Sequence, residues 1–174
     1  MTIRTVLQTS LVTGVLCLLL CSPAAAQTDT RYELGIHAGV GDYGYSDDTS
    51  RHRGVVGAEL CAFCSSRRAL FAEYSHWTTP SPSSSTGYRA ADSFGGGLRF
   101  QSSRRSVKPF FDAGAVVGSS RFGTRSRTTA GAVFGTGAKI LAGQHVYIRP
   151  QARLYIMSQS YIAVEGGVGI GWRF

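Results

Sequence analysis

The chain has 174 residues, a formal net charge of +8 and a hydrophobic share of 43%. That is the length of one domain with enough apolar residues to bury a core, which excludes an intrinsically disordered chain. Its 22 glycines follow no triplet period, which excludes a collagen-like rod.

The first stretch, "MTIRTVLQTSLVTGVLCLLLCSPAAAQ", sets Arg4 ahead of an apolar run culminating in Leu11–Leu20, then Pro23 and Ala24, Ala25 and Ala26. A charged start, a short apolar middle and an A-x-A site predict a secretory signal peptide over 1–26, cut after Ala26. A membrane anchor needs about 20 apolar residues, and this run is shorter. Lipidation at Cys21 is disfavoured, because the large Leu20 stands where lipoprotein signals carry a small residue. Residues 27–174 are then one exported domain, and export removes nucleic acid as a partner for the basic chain.

Beyond the signal, turn formers divide the sequence into eight segments of strand character: 33–41, 53–61, 69–77, 90–101, 107–118, 129–141, 146–157 and 161–174. No amphipathic helix or repeat interrupts them. The connections 42–52, 78–89 and 119–128 are long and polar; 62–68, 102–106 and 142–145 are shorter; 158–160 is short although it falls on the long-loop side. Long loops at one end, tight turns at the other and an even strand number match the asymmetry of outer-membrane barrels.

Successive side chains of a strand point to opposite faces, so each segment splits into two series. One series carries Glu33 and His37, then Glu59, then Phe71 and Glu73, then Arg99. It continues through Lys108, Phe110 and Asp112 to Lys139, then Tyr147, Arg149, Arg153 and Tyr155, and ends on Glu165 and Arg173, interleaved with glycines. The other series is free of charge near segment middles; it begins Leu34, Ile36 and ends Val168, Ile170, Trp172, Phe174. A soluble lipocalin-like barrel with a small ligand inside would turn the apolar series inward. A membrane barrel inverts the assignment. Glycine on the charged face suits a narrow, crowded interior, and a water-exposed face has no need of it. Phe100, Trp172 and Phe174 at the short-turn end fit an interfacial aromatic girdle. The expected fold is all-β: an eight-stranded antiparallel up-and-down transmembrane β-barrel.

The lumen then receives the acids Glu33, Glu59, Glu73, Asp112 and Glu165 and the bases Arg99, Lys108, Lys139, Arg149, Arg153 and Arg173. Eight strands leave an interior just wide enough for side chains to fill it, and unpaired charge there is costly. A paired network that plugs the barrel is expected, rather than a general diffusion porin. Pro109 and Pro150 fall inside segments of a sheet with no edge, so β-bulges near the rim are expected to host them.

Cys61 and Cys64, in "ELCAFCSSRR", remain after signal removal. The spacing admits a redox motif, half a zinc site or a disulfide. No second cysteine pair completes a zinc site, no helix follows for a redox motif, and the periplasm is oxidising, so a small structural disulfide is expected.

The terminal strand, alternating and closing on Trp172 and Phe174, resembles the C-terminal signal by which the barrel assembly machinery recognises outer-membrane β-barrel proteins. Residues 27–174 as a whole resemble the small OmpA/OmpX-like outer-membrane β-barrel family in pattern. The resemblance implies a monomeric barrel in the outer membrane of a Gram-negative cell envelope, without cofactor or metal. Its surroundings would be outer-membrane lipid and lipopolysaccharide, and its role structural or in surface interaction.

Barrel-form lipid A deacylases carry a catalytic His followed two residues later by Ser, with a distant acid. The nearest match here is "EYSHWTT", where His76 is followed by Trp77 and Thr78, on the third segment rather than late in the chain. An interfacial His beside an anchoring Trp is expected in its place, and no enzyme. The connection 119–128 holds Arg121, Arg125 and Arg127 and no acid. Arginine grips phosphate bidentately, so these residues either contact anionic lipid phosphates or are solvated. Arg67, Arg68, Arg104 and Arg105 make a second basic rim on the short turns.

Overall fold

The computed structural model describes residues 32–45, 51–64, 67–78, 88–102, 106–122, 125–158 and 161–174, with backbone alone at 43–45, 51–52, 88–90, 121–122, 125 and 161. The expected signal at 1–26 and the residues Arg104 and Arg105 lie outside the described residues.

Eight strands form: β1 (Glu33–Tyr45), β2 (Arg51–Ala62), β3 (Arg68–Trp77), β4 (Tyr88–Gln101), β5 (Val107–Phe122), β6 (Arg125–Leu141), β7 (Val146–Met157) and β8 (Tyr161–Arg173). Each pairs antiparallel with its sequence neighbour, and β1 pairs with β8 to close the barrel. Closure removes every sheet edge from the wall, which a lipid environment demands because it offers backbone groups no water.

The faces decide between a soluble barrel and a membrane barrel. Ile36, Val40 and Ile170 point outward at 66%, 67% and 57% exposure, and the whole outer wall carries Leu, Ile, Val and Phe in the same way. Glu33, Glu59, Arg99, Lys139 and Glu165 point inward and are buried. An apolar exterior around a charged interior is the membrane arrangement. Phe100, Trp172 and Phe174 stand exposed toward the short-turn end, where His145 stacks on Trp172 at 5.6 Å.

Inward glycines let this narrow wall accept long side chains. A Cβ on Gly171 would fall on the Tyr147 ring, and one on Gly137 would lie 2.8 Å from the Phe110 ring.

Three expectations are corrected. Connection 119–128 is not a long loop: β5 continues to Phe122 and β6 begins at Arg125, with Ser119 paired to Thr128 and Ser120 to Arg127. Hydroxylated and arginine side chains there lack the apolar alternation by which strands are recognised, yet above the membrane a polar hairpin pairs its backbone equally well. Secondly, no bulge accompanies the prolines. Register is continuous through Pro109 on β5–β6, and across Pro150 the β6–β7 ladder omits two pairs between Gly137↔Gln151 and Ile140↔Ile148 without slipping. Proline has no N–H for the ladder, so a bond is lost but no residue is inserted. The register shift falls instead between Tyr88 and Ala90, at the outer end of β4. Thirdly, Trp77 is not an interfacial anchor. It shares the inward parity of Glu73 and Ser75 and is 2% exposed.

Candidate functional site

The lumen is filled in layers. At the short-turn end Cys61 and Cys64 form a disulfide, both fully buried. The Gln101 amide nitrogen donates to the Cys64 carbonyl (2.5 Å). Above it, Glu33 accepts from Lys139 Nζ (2.5 Å) and pairs with Arg173 Nε (3.1 Å), while Lys139 also donates to Gln101 Oε1 (3.1 Å). The Glu33 carboxylate lies with the two sulfurs inside a 4.8 Å cluster. The sulfurs are bonded to each other and the carboxylate is engaged by two cations, so this set is not open to a metal.

The middle layer centres on Arg99. Its guanidinium donates to Glu59 Oε1 and Oε2 at 2.6 and 2.9 Å, and to Asp112 Oδ1 and Oδ2 at 2.7 and 2.6 Å. The Phe110 ring lies 4.3 Å from the guanidinium carbon and the Phe71 ring 5.6 Å from it. Glu59 also accepts from Arg149 and from Arg153 Nη2 (2.7 Å), and Arg153 pairs with Glu73. One carboxylate thus gathers three arginines, and the other acids divide the remaining donors. Charge-assisted, partly bidentate bonds of this kind are what a buried arginine needs.

Above these ions, Tyr155 donates to Glu165 (2.9 Å), and His37 Nε2 lies 3.4 Å from both Glu165 and Ser75 Oγ. Further out the interior is lined by Val55, Trp77, Val116, Val133, Met157 and Ala163, with Trp77 edge-on to Tyr155 at 5.8 Å, and beyond them Arg53, Ser120 and Thr129 face inward and are buried. A cavity among Trp77, Ser93, Gly118, Tyr155 and Met157 measures about 10 Å³, the lower limit for one water.

The structure therefore places Glu33, Glu59, Glu73, Arg99, Asp112, Lys139, Arg149, Arg153, Glu165 and Arg173 in one interior and brings most into direct contact. Lys108 is buried on the same face of β5. His37, Ser75 and Gln101 also take part; their signal was inward parity alone.

No family model matches this chain, and no curated protein matches its sequence. Solved structures do. Neisserial surface protein A superposes with a TM-score of 0.68 at 14% identity, over 84% of this chain and 100% of that one. Ail, the attachment invasion locus protein of Yersinia pestis, gives 0.65 at 13%, over 84% and 100%. The N-terminal β-barrel domain of OprF from Pseudomonas aeruginosa gives 0.61 at 12%, over 82% and 97%. This is the fold of the small outer-membrane barrels. With its apolar exterior, the barrel sits in the bacterial outer membrane; the general rule that such barrels keep short turns in the periplasm would put the β5–β6 hairpin on the outer side.

On that outer side the barrel carries a polar group on its lipid-facing wall. Tyr74 donates its hydroxyl to Asp92 Oδ1 (2.6 Å), and His76 Nδ1 lies 2.8 Å from the same oxygen. A carboxylate oxygen accepts only, so the proton of this bond is on Nδ1 and Nε2 is left as the other ring position. Thr78 Oγ1 donates to the Gly54 carbonyl (3.0 Å). Arg127 is exposed on β6; Arg121 and Arg125 are placed by backbone register, opposite Ser126 and Phe122. Arg67 and Arg68 are exposed at the periplasmic end.

Proposed function

We propose that this protein is a monomeric structural and surface-interaction barrel, closed to general diffusion by its own side chains and inserted by the barrel assembly machinery. The observation that carries this is Glu59 on β2, bonded at once to Arg99 on β4 and to Arg149 and Arg153 on β7, so that buried side chains from three non-neighbouring strands meet in the bore. A solute would have to break that junction and pass the Trp77–Met157 layer. Planar-bilayer recording tests the closure. Wild-type monomer should give no stable large openings; steady large single-channel openings would overturn it.

The surface role falls to the outer hairpin. Arg121, Arg125 and Arg127 come within two strand ends without an acid among residues 119–128, and such a group suits phosphates or sulfates. The Ail barrel has been crystallised with the heparin analogue sucrose octasulfate, which is the same chemistry.

A hydrolase acting on outer-membrane lipid has one observation in its favour, the His76–Asp92 pair on the lipid-facing wall. Against it, the Thr78 hydroxyl that would have to serve as nucleophile is engaged by Gly54. Fatty-acid release from purified lipid A, lost in His76→Ala, would establish it; wild type releasing none would dismiss it.

A further inference from the structure

Registers of adjacent strands bring four outward residues into one line. His76 pairs with Asp92, Asp92 with Ser119, and Ser119 with Thr128, across β3, β4, β5 and β6. Asp92, Ser119 and Thr128 are exposed, and the His76 side chain is 38% exposed. At about 4.8 Å per strand the line runs roughly 15 Å along the outer wall. Two residues toward the periplasm on the same strands stand Tyr74, Phe94, Val117 and Ala130, the upper edge of the lipid-facing belt. A polar row thus lies directly on an apolar one at the outer boundary of the membrane.

We infer that this row docks the saccharide headgroup of a glycolipid from the outer leaflet. The site goes beyond the surface role above and shares with it only the membrane setting.

The row is assembled rather than merely solvated. Two side chains on β3 converge on a single carboxylate oxygen of β4, which fixes Asp92 on a face where a charge is otherwise a cost. Its chemistry is selective. One carboxylate, an imidazole engaged by it through Nδ1, and two hydroxyls make up the row. Such a set takes O–H and N–H donors, the hydroxyls and amides of sugars, and lacks the arginine fork that phosphate favours. Continuity with the belt fixes the kind of molecule: a ligand on the row must continue downward as hydrocarbon over Phe94 and Val117, so it is an amphiphile. Phosphates on the same molecule would fall further out, toward the register positions Arg121 and Ser126.

The experiment uses the full barrel in phosphatidylcholine nanodiscs doped with one of two probes, lipid A stripped of its phosphates or phosphatidylglycerol, and counts bound lipid by native mass spectrometry. Heat-shifted gel migration first verifies the inserted fold, so failure of the membrane setting shows separately, as failure to insert. Wild type should retain the phosphate-free glycolipid over phosphatidylglycerol. Asp92→Ala and Ser119→Val should each weaken that retention about tenfold, while Arg67→Ala, at the other end of the barrel, leaves it unchanged. Equal retention by wild type and Asp92→Ala overturns the assignment. So does a wild-type preference for phosphatidylglycerol, which would assign lipid contact to phosphate and arginine.

Discussion

Arg99 and Glu59 lie 40 residues apart, on strands that are not neighbours, and meet side-on through two parallel bonds of 2.6 and 2.9 Å. The junction reaches past β3 on the inside of the wall, and the opposite edge of the same guanidinium holds Asp112. Removing Glu59 would take a carboxylate from Arg99, Arg149 and Arg153 at once in a buried interior. Breaking a buried pair from one side costs about 3–5 kcal/mol. Glu59→Ala should therefore lower unfolding stability in lipid vesicles by at least that much, with Glu59→Gln recovering part of the hydrogen bonding but none of the charge. Exposed Arg127→Ala should stay within about 0.5 kcal/mol of wild type. Urea titration of the three variants decides. Equal losses from Glu59→Ala and Arg127→Ala would mean that the network does not hold the fold.

Two glycines on β8 make a matched test of how tightly the lumen is filled. A Cβ on Gly171 would enter the buried Tyr147 ring, whereas one on Gly166 meets nothing within 4 Å and faces lipid. Overpacking a filled interior costs about 1–3 kcal/mol. Gly171→Ala should destabilise by that amount, and Gly166→Ala should be neutral or slightly stabilising. The same urea titration measures both, and a neutral Gly171→Ala would show room around Tyr147 that the closed lumen does not allow.

The strands and their faces were legible because a period of two records which side each residue takes, and a lipid-facing wall leaves the charged series unmistakable. Glu33, Arg99 and Glu165 follow from parity alone. Which acid meets which base did not follow, since Arg99 reaches Glu59 past β3 and Arg153 reaches it from β7, and sequence carries no distance between strands that do not pair. Trp77 was misplaced by its neighbour: adjacency to His76 suggested a shared interface, while parity put the two on opposite faces. The outer hairpin was hidden because Ser119, Ser120 and Arg127 have no apolar partner series to alternate against. The row from His76 to Thr128 needs the register of four strands, which no single segment contains.

Cys61 and Cys64 are fully buried at the periplasmic mouth and joined. Alkylation of unreduced protein followed by mass spectrometry should find no free thiol. The closed loop is far shorter than the 15 residues for which about 3 kcal/mol is expected, so its chain-entropy contribution is smaller than that. Cys61→Ser with Cys64→Ser should accordingly fold and insert, with a modest loss of stability. Two alkylated cysteines, or a metal carried through purification, would refute the disulfide.

The last expectation concerns the outer arginines. If they contact polyanions, binding of sucrose octasulfate to the inserted barrel should weaken as salt rises, because exposed charges are screened beyond about 8 Å at physiological ionic strength. Replacing Arg121, Arg125 and Arg127 together by Gln removes the positive charge of the hairpin and leaves Arg99, Lys139, Arg149 and Arg153, which lie deeper in the bore, in place. Affinity should fall at least tenfold, which corresponds to about 1.4 kcal/mol, and most of the salt dependence should go with it. Insertion and heat-shifted migration should not change, since all three register positions lie at the outer ends of β5 and β6, away from Glu59 and Arg99. Arg67→Gln at the periplasmic end is the control for net charge, and it should leave binding from the outer side intact. Undiminished binding by the triple variant would assign these arginines to solvent and leave the hairpin without a role in polyanion contact.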